Sequence, residues 1–516
     1  MARRVQPVVL WSGLGAAALV AFLSFGTLAT VALSAESVSA LGQFDWAAVR
    51  FTVMQATLSA FLSVGFAIPV ARALARRDFP FRGLLIVLLG APFILPVIVA
   101  ILGLTAVFGR SGFLSHVLDW AGFEPISIYG LHGILIAHVF FNLPLAVRLL
   151  LHGWGTIPAE RFRLAAALRF NGWQTLRHVE GPMLRDIVPG ALAVIFLICT
   201  TSFAVALTFG GGPKATTVEL AIYEAFRYDF DLGKAALLSL IQFGICAIAA
   251  VASLRFQVPQ VLSGALGRKV ERFDPDTIAR RLGDSFWILA ATLFLLAPLV
   301  TLAFDGANGL LDLPTSVWTA AGRSLMVALG STALTLGLAL ALSLAAIQWR
   351  WLEGIALTSI AASPLVMGTG LFILVFPFAD PASLALPVTM VVNAIMALPF
   401  AVRIVAPSVS ATERSFGQLA DGLGVTGWAR FRLVLLPRIR APLGYAGGLS
   451  AALSMGDLGV IALFARPDDA TLPLQIYRLM GSYRMEQAMG AALLLLALSL
   501  MLFYVFERGG RGRADD

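Results

Sequence analysis

The sequence predicts an all-α polytopic membrane protein of about twelve transmembrane helices, arranged as two parallel six-helix repeats. Hydrophobic residues make up 59% of the 516 residues and charged residues only 13%, a balance that is not typical of water-soluble domains. Apolar stretches of about 20 residues, the length that crosses the hydrocarbon core of a bilayer, recur along the chain. One polar stretch also occurs twice, starting at Arg163 and again at Gln418.

The apolar stretches define twelve predicted spans, and runs of this length indicate helices rather than barrel strands. In chain order they are 9–33, 51–71, 83–108, 128–151, 187–210, 235–254, 285–304, 324–347, 354–379, 385–406, 442–465 and 487–506.

The basic residues predict the orientation of these spans. With the N-terminus placed inside, 28 Lys and Arg fall on the inner side and 9 on the outer side, which accounts for all 37. Because loops rich in Lys and Arg stay in the cytoplasm, we expect both termini to be cytoplasmic. The pI near 10.0 then reflects membrane topology, and nucleic-acid binding is not inferred.

The start of the chain predicts a retained membrane anchor, because its apolar stretch is too long for a cleaved signal peptide. The two cysteines, Cys199 and Cys246, both fall in predicted spans. We expect small buried residues there, and neither a disulfide nor a metal site.

Matched segments divide the chain into two units. In sequence, Leu143–Arg148 aligns with Leu398–Arg403 at an offset of 255 residues. Thr217 to Tyr223 aligns with Thr471 to Tyr477 at an offset of 254. Six spans per unit is an even number, so both units have the same orientation about an axis along the membrane normal. The predicted domains are 1–254, a cytoplasmic linker over 255–284, and 285–516.

The repeated polar stretch lies in predicted cytoplasmic loops, near 158–182 and 413–437. Each copy predicts two short helices around a glycine-containing turn, followed by a proline that ends the second helix before the next span. An apolar face beside arginines favours docking into a groove of a soluble partner, although a helix lying on anionic lipid is the alternative. The residues predicted for this docking surface are Arg163, Leu164, Ala165, Leu168, Arg169, Gly172, Trp173 and Pro182, with Gln418, Leu419, Ala420, Leu423, Gly424, Trp428 and Pro437.

These loops resemble the E-A-A-x-x-x-G-x(9)-I-x-L-P loop of the integral membrane permease subunits of bacterial ABC importers. Gly424 and Val434–Pro437 match that pattern, whereas Arg169 stands at the glycine position of the first copy. The resemblance implies a type I ABC importer permease fold in the bacterial inner membrane. It also implies two copies of an ATP-binding subunit on the cytoplasmic loops and a periplasmic substrate-binding protein on the outer face.

Within that family, the fused two-unit chain is most similar to the thiamine and thiamine pyrophosphate permeases. The segments that carry this resemblance are Tyr129–Pro144 and Gly210–Tyr223. The resemblance implies thiamine, or phosphorylated thiamine, as cargo. Two alternatives stay open: an importer of the same architecture for ferric iron or a polyamine, and an ion-coupled secondary transporter, which would need more ionisable residues inside the membrane than this chain offers.

Few residues in the sequence are candidates for catalysis, metal binding or a role in the transport pathway. No G-x-x-x-x-G-K-[ST] phosphate loop occurs in the sequence, so we expect no catalytic residues and no cofactor, with ATP hydrolysed by a separate subunit. His132 and His138 are six residues apart, a spacing that disfavours metal binding on one helix face. Asp457 is the one acid within a predicted span, and it is a candidate pathway or gate residue. The alternative for Asp457 is a carboxylate that holds a packed bend by hydrogen bonds.

Overall fold

The computed structural model describes residues 7–35, 41–90, 94–125, 127–210, 212–254, 277–359 and 363–511. Most of the predicted linker over 255–284, through residue 276, lies outside the described residues, as do the start of the chain, Pro92 and Gly211.

The part of the chain before the linker forms thirteen α-helices in the described residues. They are α1 Pro7–Ala21, α2 Thr27–Ser34, α3 Gln43–Arg76, α4 Arg82–Leu88, α5 Val97–Phe108, α6 Phe113–Trp120, α7 Leu131–Thr156, α8 Ala159–Ala167, α9 Gly172–Thr175, α10 Gly181–Thr200, α11 Phe203–Phe209, α12 Val218–Arg227 and α13 Leu232–Leu254.

The part after the linker forms ten. They are α14 Ile278–Gly309, α15 Thr315–Ala345, α16 Trp351–Thr358, α17 Pro364–Val375, α18 Ala385–Gly422, α19 Gly427–Arg430, α20 Leu436–Met455, α21 Gly459–Phe464, α22 Leu472–Gly481 and α23 Met485–Gly510. The described residues contain no strand, so the predicted fold class is confirmed.

Eleven helices in the described ranges are long and apolar enough to cross a membrane, and α17 is a shorter apolar helix of 12 residues. The difference from the twelve predicted spans lies at 354–379. There the Ser363 hydroxyl accepts hydrogen bonds from the backbone N–H groups of Leu365 and Val366 and so caps a new helix. Pro364 in the first turn has no N–H to continue an earlier helix. The predicted single span is therefore two helices, α16 and α17.

The two parts of the chain carry matching irregular elements. Five-residue π-helical turns occur at Leu176–Glu180 and Phe431–Leu435, and short 3₁₀ turns occur at Pro213–Ala215 and Pro467–Asp469. One tertiary hydrogen bond is also repeated: the Val218 N–H donates to Thr52 Oγ1 at 2.8 Å, and the Leu472 N–H donates to Ser324 Oγ at 2.7 Å. These matches support the predicted repeat, while the exact domain boundaries stay a prediction.

The first helices of the two units are exchanged. Helix α1 packs against α15 and α16 of the second unit, and α2 lies between α17 of the second unit and α13 of the first. Helix α14 packs against α3 and α5 of the first unit and against α23 of its own. The close approach is visible at Gly103, where an added Cβ would lie 2.5 Å from the backbone oxygen of Pro298 on α14. Each unit thus depends on the other for part of its packing.

The predicted helix ends at Pro182 and Pro437 are wrong. Both prolines lie in the first turn of the next long helix, α10 or α20, directly after a π-helical turn. A proline is tolerated there because the first N–H groups of an α-helix have no partner within it. Each docking loop therefore runs without a break into a membrane helix.

Candidate functional site

The first repeated loop closes by a left-handed turn after α8. The Arg169 N–H donates to the Ala166 carbonyl at 3.0 Å and the Phe170 N–H to the Ala165 carbonyl at 2.9 Å. Arg169 itself has φ of 53°, the region that normally favours glycine. Helix α9 then begins with a capping box, in which Asn171 and Gln174 each accept a hydrogen bond from the other's backbone N–H.

The second loop has the same hydrogen-bond pattern 255 residues later. The Gly424 N–H donates to the Asp421 carbonyl at 3.1 Å and the Val425 N–H to the Ala420 carbonyl at 2.9 Å. Gly424 has φ of 65° and stands where Arg169 stands in the first loop. Gly172 has no positive φ, whereas Gly427, at the matching position of the second loop, has φ of 60°. The first loop therefore has one left-handed residue, Arg169, and the second has two, Gly424 and Gly427.

The two loops present the same apolar side chains to the surface. A leucine, a leucine one turn later and a tryptophan are between 59 and 71% exposed in both copies. We call these two sets the Leu-Leu-Trp triads; they consist of Leu164, Leu168 and Trp173 in the first loop and of Leu419, Leu423 and Trp428 in the second. Large exposed apolar side chains on a polar loop are typical of interaction sites.

The other residues predicted for this surface divide by exposure. Ala165 and Ala420 are buried beneath the triads, and Gly172 is partly buried. The remaining ones are exposed: Arg163, Arg169, Pro182, Gln418, Gly424 and Pro437. Ala165 lies on α8 and Ala420 near the end of the long helix α18. Whether the whole surface docks a partner stays a prediction.

Ion pairs from other helices hold the first loop. Arg72 on α3 lies 2.7 Å from Glu180, which is fully buried, and donates to the Gly172 carbonyl at 3.3 Å. One turn further along α3, Arg76 and Arg77 pair with Asp284, at the start of the second unit, at 3.4 and 2.8 Å. A buried carboxylate needs such partners. Arg72 therefore fixes the first loop to α3, and the pairs with Asp284 join the end of α3 to α14.

Contacts between residues of the second loop itself hold that loop in place. Arg430 pairs with Glu413 and, at 2.5 Å, with Asp421, and it also donates to the Gly417 carbonyl at 3.3 Å. The matching positions in the first loop are Pro158, Ala166 and Thr175, so none of this clamp is repeated. Pro158 also explains why α7 and α8 are separate helices, whereas α18 continues through Glu413.

These supporting residues were missed by the sequence reasoning. The sequence alone does not single out Arg430, Glu413, Arg72 or Glu180. The cluster of arginines at the end of α3 was a usable signal, but the positions of their partners are set by tertiary packing.

Asp457 lies at the break between α20 and α21. Its Oδ1 accepts a hydrogen bond from the Gly459 N–H at 3.2 Å, and its Oδ2 is buried with no hydrogen-bond partner among the described residues. An added Cβ on Gly459 would lie 3.6 Å from Leu365 and 3.7 Å from Phe203. Asp457 is thus close to helices of both units, and one of its oxygens helps to start α21.

His138 of α7 takes part in helix packing, whereas His132 is exposed. His138 Nδ1 lies 2.9 Å from the Ser59 hydroxyl on α3, and the His138 carbonyl accepts a hydrogen bond from the Asn142 side chain. Within the described residues there is no group of three or more His, Cys, Asp or Glu that could hold a metal ion. These polar groups stabilise the contact between α3 and α7.

Two repeated sets of membrane helices, each containing a polar loop with the same turn and the same exposed triad, indicate the class of protein. The chain is a fused permease subunit of an ABC importer, in which both halves are carried on one polypeptide.

Comparison with known proteins specifies the family. The chain is 38% identical to the thiamine transport system permease protein ThiP of Salmonella typhimurium over 98% of both chains. It is 38% identical to that of Brucella abortus over 97% of this chain and 95% of the relative, and 39% identical to that of Escherichia coli over 90 and 89%. No family model matches. The chain belongs to the family of thiamine transport system permease proteins and is a multi-pass membrane protein.

Proposed function

We propose that this chain is the membrane-spanning subunit of an ATP-driven importer that moves thiamine, and phosphorylated thiamine, across the inner membrane. The observation that carries the proposal is the similarity of 38% over 98% of the chain to permeases named for thiamine transport. This similarity covers both units and both loops, so it is not confined to one shared motif.

The two loops would each receive one copy of an ATP-binding subunit on the cytoplasmic face. The repeated Leu-Leu-Trp triads support this proposal, because a two-fold partner needs two equivalent surfaces. The excess of Lys and Arg on the predicted inner side supports cytoplasmic loops and cytoplasmic termini. A periplasmic substrate-binding protein would then deliver cargo to the opposite face.

The permease would supply no catalytic residue, and ATP would be hydrolysed in the separate subunit. Closure of the ATP-binding dimer would bring the two loops together. That movement can switch the membrane helices between inward-open and outward-open states only if the two states differ in the free energy of loop contact. The continuous path from each loop through its π-helical turn into α10 or α20 supports a mechanical link.

Asp457 would act at the gate between the units. Its position at the break between α20 and α21, close to Phe203 of the first unit and Leu365 of α17, supports this role. A break between two short helices is a place where small rotations of the backbone are possible.

The test is transport by the reconstituted complex. Proteoliposomes that contain the permease, its ATP-binding subunit and its binding protein should accumulate labelled thiamine only with ATP inside, where the ATP-binding subunit faces. Accumulation driven by an ion gradient without the ATP-binding subunit would instead indicate a secondary transporter. Stimulation of ATP hydrolysis by a ferric or polyamine-loaded binding protein, and not by a thiamine-loaded one, would contradict the assignment of cargo.

A further inference from the structure

A second buried carboxyl group lies at the seam between the units. Glu219 is in the first turn of α12 and is completely shielded from solvent. Helix α12 packs against α13 of its own unit and touches α17 and α21 of the other. The partner of Glu219 on α13 is Gln242, the eleventh of its 23 residues, so the pair lies near the middle of a membrane span.

The hydrogen bonds around Glu219 leave two acceptor oxygens without donors. Gln242 Nε2 donates to Glu219 Oε1 at 3.1 Å and to the Thr200 carbonyl at 2.8 Å. Glu219 Oε2 and Gln242 Oε1 are both buried, and neither has a hydrogen-bond partner in the described part of the chain. The Ser363 hydroxyl at the start of α17 lies near the carboxyl group of Glu219.

Two unpaired acceptors inside a membrane protein are costly, since each lacks the donor that water would supply. A ligand that brings a positive charge and N–H donors would satisfy both. An anion or a purely apolar molecule would not.

Aromatic rings stand beside this group. Tyr223 follows Glu219 by four residues and therefore lies on the same face of α12. Its ring is 5.3 Å from that of Phe203, measured between centroids. One turn further on, Phe226 packs edge-on against Phe372 of α17, with centroids 4.3 Å apart. Aromatic faces attract organic cations, so the neighbourhood adds to the preference for a flat, positively charged ligand.

The second unit has no equivalent of Glu219. Thr217 aligns with Thr471, and Tyr223 with Tyr477, at an offset of 254 residues. At the same offset, Pro473 stands at the position of Glu219. A two-fold arrangement of identical groups would treat both ends of a cargo molecule alike. A single carboxyl group on one side can instead fix one orientation of an asymmetric molecule.

We propose that Glu219 and Gln242, with Tyr223 and Phe203, form a binding site inside the membrane for an aromatic organic cation that carries N–H donors. This inference rests on the proposed function, because the thiazolium and aminopyrimidine rings of thiamine have this chemistry. Ser363 places the site at the contact between α12 and α17, where separation of the two units would open it.

The experiment measures equilibrium binding to the permease assembled with its ATP-binding subunits in lipid nanodiscs, without the binding protein, in resting and nucleotide-trapped states. The probes are labelled thiamine and an analogue in which a neutral thiophene ring replaces the thiazolium. In at least one state, the unmodified complex should bind thiamine about tenfold more tightly than the analogue, the size of a single charge interaction. Glu219→Gln should weaken thiamine binding about tenfold and analogue binding by less than about twofold.

Glu224→Gln is the matched control. Glu224 lies on the same helix but is partly exposed, so this variant should bind both probes as the unmodified complex does. Equal weakening of both probes by Glu219→Gln would assign Glu219 to helix packing alone and overturn the proposal. So would unchanged binding in that variant, or no thiamine binding to the unmodified complex in either state.

Uptake into proteoliposomes separates this inference from the function on which it rests. If the complete transporter imports thiamine while Glu219→Gln binds and imports it normally, only the site at Glu219 is wrong. If the complete transporter imports no thiamine, the assignment of cargo is wrong, and the site at Glu219 loses its ligand as well.

Discussion

At the scale of single residues, the two repeated loops carry different residue types at the left-handed position that closes each turn. Arg169 has φ of 53° and Gly424 has φ of 65°. For a residue with a Cβ, this conformation costs about 1 kcal/mol relative to glycine. The first loop thus carries backbone strain at this position that the second avoids, although the two backbone hydrogen bonds that close the turn are the same.

Exchanging the residue types should therefore have unequal effects. Gly424→Arg adds the strain to a loop that lacks it, whereas Arg169→Gly removes it, so we predict that Gly424→Arg lowers thiamine transported per ATP hydrolysed more than Arg169→Gly does. The measurement is transport and ATP hydrolysis in the same proteoliposomes. The reverse order of the two variants would refute the prediction.

The tryptophans of the Leu-Leu-Trp triads should be the strongest contacts with the ATP-binding subunit. Truncation of a central interface tryptophan costs about 2 kcal/mol or more, so Trp173→Ala and Trp428→Ala should each weaken assembly about thirtyfold. Affinity of the purified ATP-binding subunit for the permease in nanodiscs measures this. Trp120→Ala is the control, because Trp120 is also exposed but lies on the predicted outer face. Equal loss in all three variants would argue against docking at the triads.

The clamp around Arg430 predicts a different kind of defect. Arg430→Ala would remove a charged partner of Glu413, which is mostly buried, and destabilise the second loop by about 2 kcal/mol. We expect ATP hydrolysis to become less dependent on the loaded binding protein. Arg432→Ala removes a nearby exposed arginine and should leave this dependence intact. If both variants behave alike, basic charge and not the clamp determines coupling.

At the scale of elements, glycines set the distances between membrane helices. An added Cβ on Gly309 of α14 would lie 2.0 Å from the Glu486 carbonyl at the start of α23, whereas one on Gly337 of α15 meets nothing within 4 Å. Helix contacts inside membranes depend on such close approach. The contact fixes the C-terminal end of α14 against α23 of its own unit.

Gly309→Ala should therefore lower the midpoint of thermal unfolding in detergent, at a cost of about 1 to 3 kcal/mol for overpacking. Gly337→Ala, the same change on an open helix face, should leave the midpoint unchanged or raise it slightly because alanine favours helix. Equal midpoints for the two variants would show that α14 and α23 can move apart without loss of stability.

At the scale of the whole molecule, the exchange of first helices makes the linker dispensable once the protein has folded. Helices α1 and α2 pack on the second unit and α14 on the first, so the units hold each other through buried contacts. The linker connects them along the chain but is not the only connection between them.

A protease site inserted within the linker, between residues 262 and 263, tests this arrangement. After cleavage in mild detergent the two halves should remain together on size-exclusion chromatography, and proteoliposomes with the cleaved protein should retain most of their thiamine transport. The uncleaved insertion variant is the control for the insertion itself. Separation of the halves after cleavage would contradict the packing of α1 and α14 described above.

The sequence by itself determined the features that depend on neighbouring residues. Span lengths follow from runs of apolar residues, and the turns after α8 and α18 follow from contacts a few residues apart, which is why the offset of 255 predicted matching loops. Prediction from the sequence failed where a single residue changes the backbone. Ser363 and Pro364 divide a predicted span, and Pro182 and Pro437 begin helices instead of ending them.

Only the tertiary structure decided which distant groups meet. The exchange of α1 and α14, the pair between Arg72 and Glu180, and the burial of Glu219 beside Gln242 join residues that no periodicity relates. Packing of whole helices selects such contacts, because each depends on the approach of two surfaces whose relative position is not encoded locally. The loops could thus be found in the sequence, whereas what supports them, and the carboxyl group at the seam, required the fold.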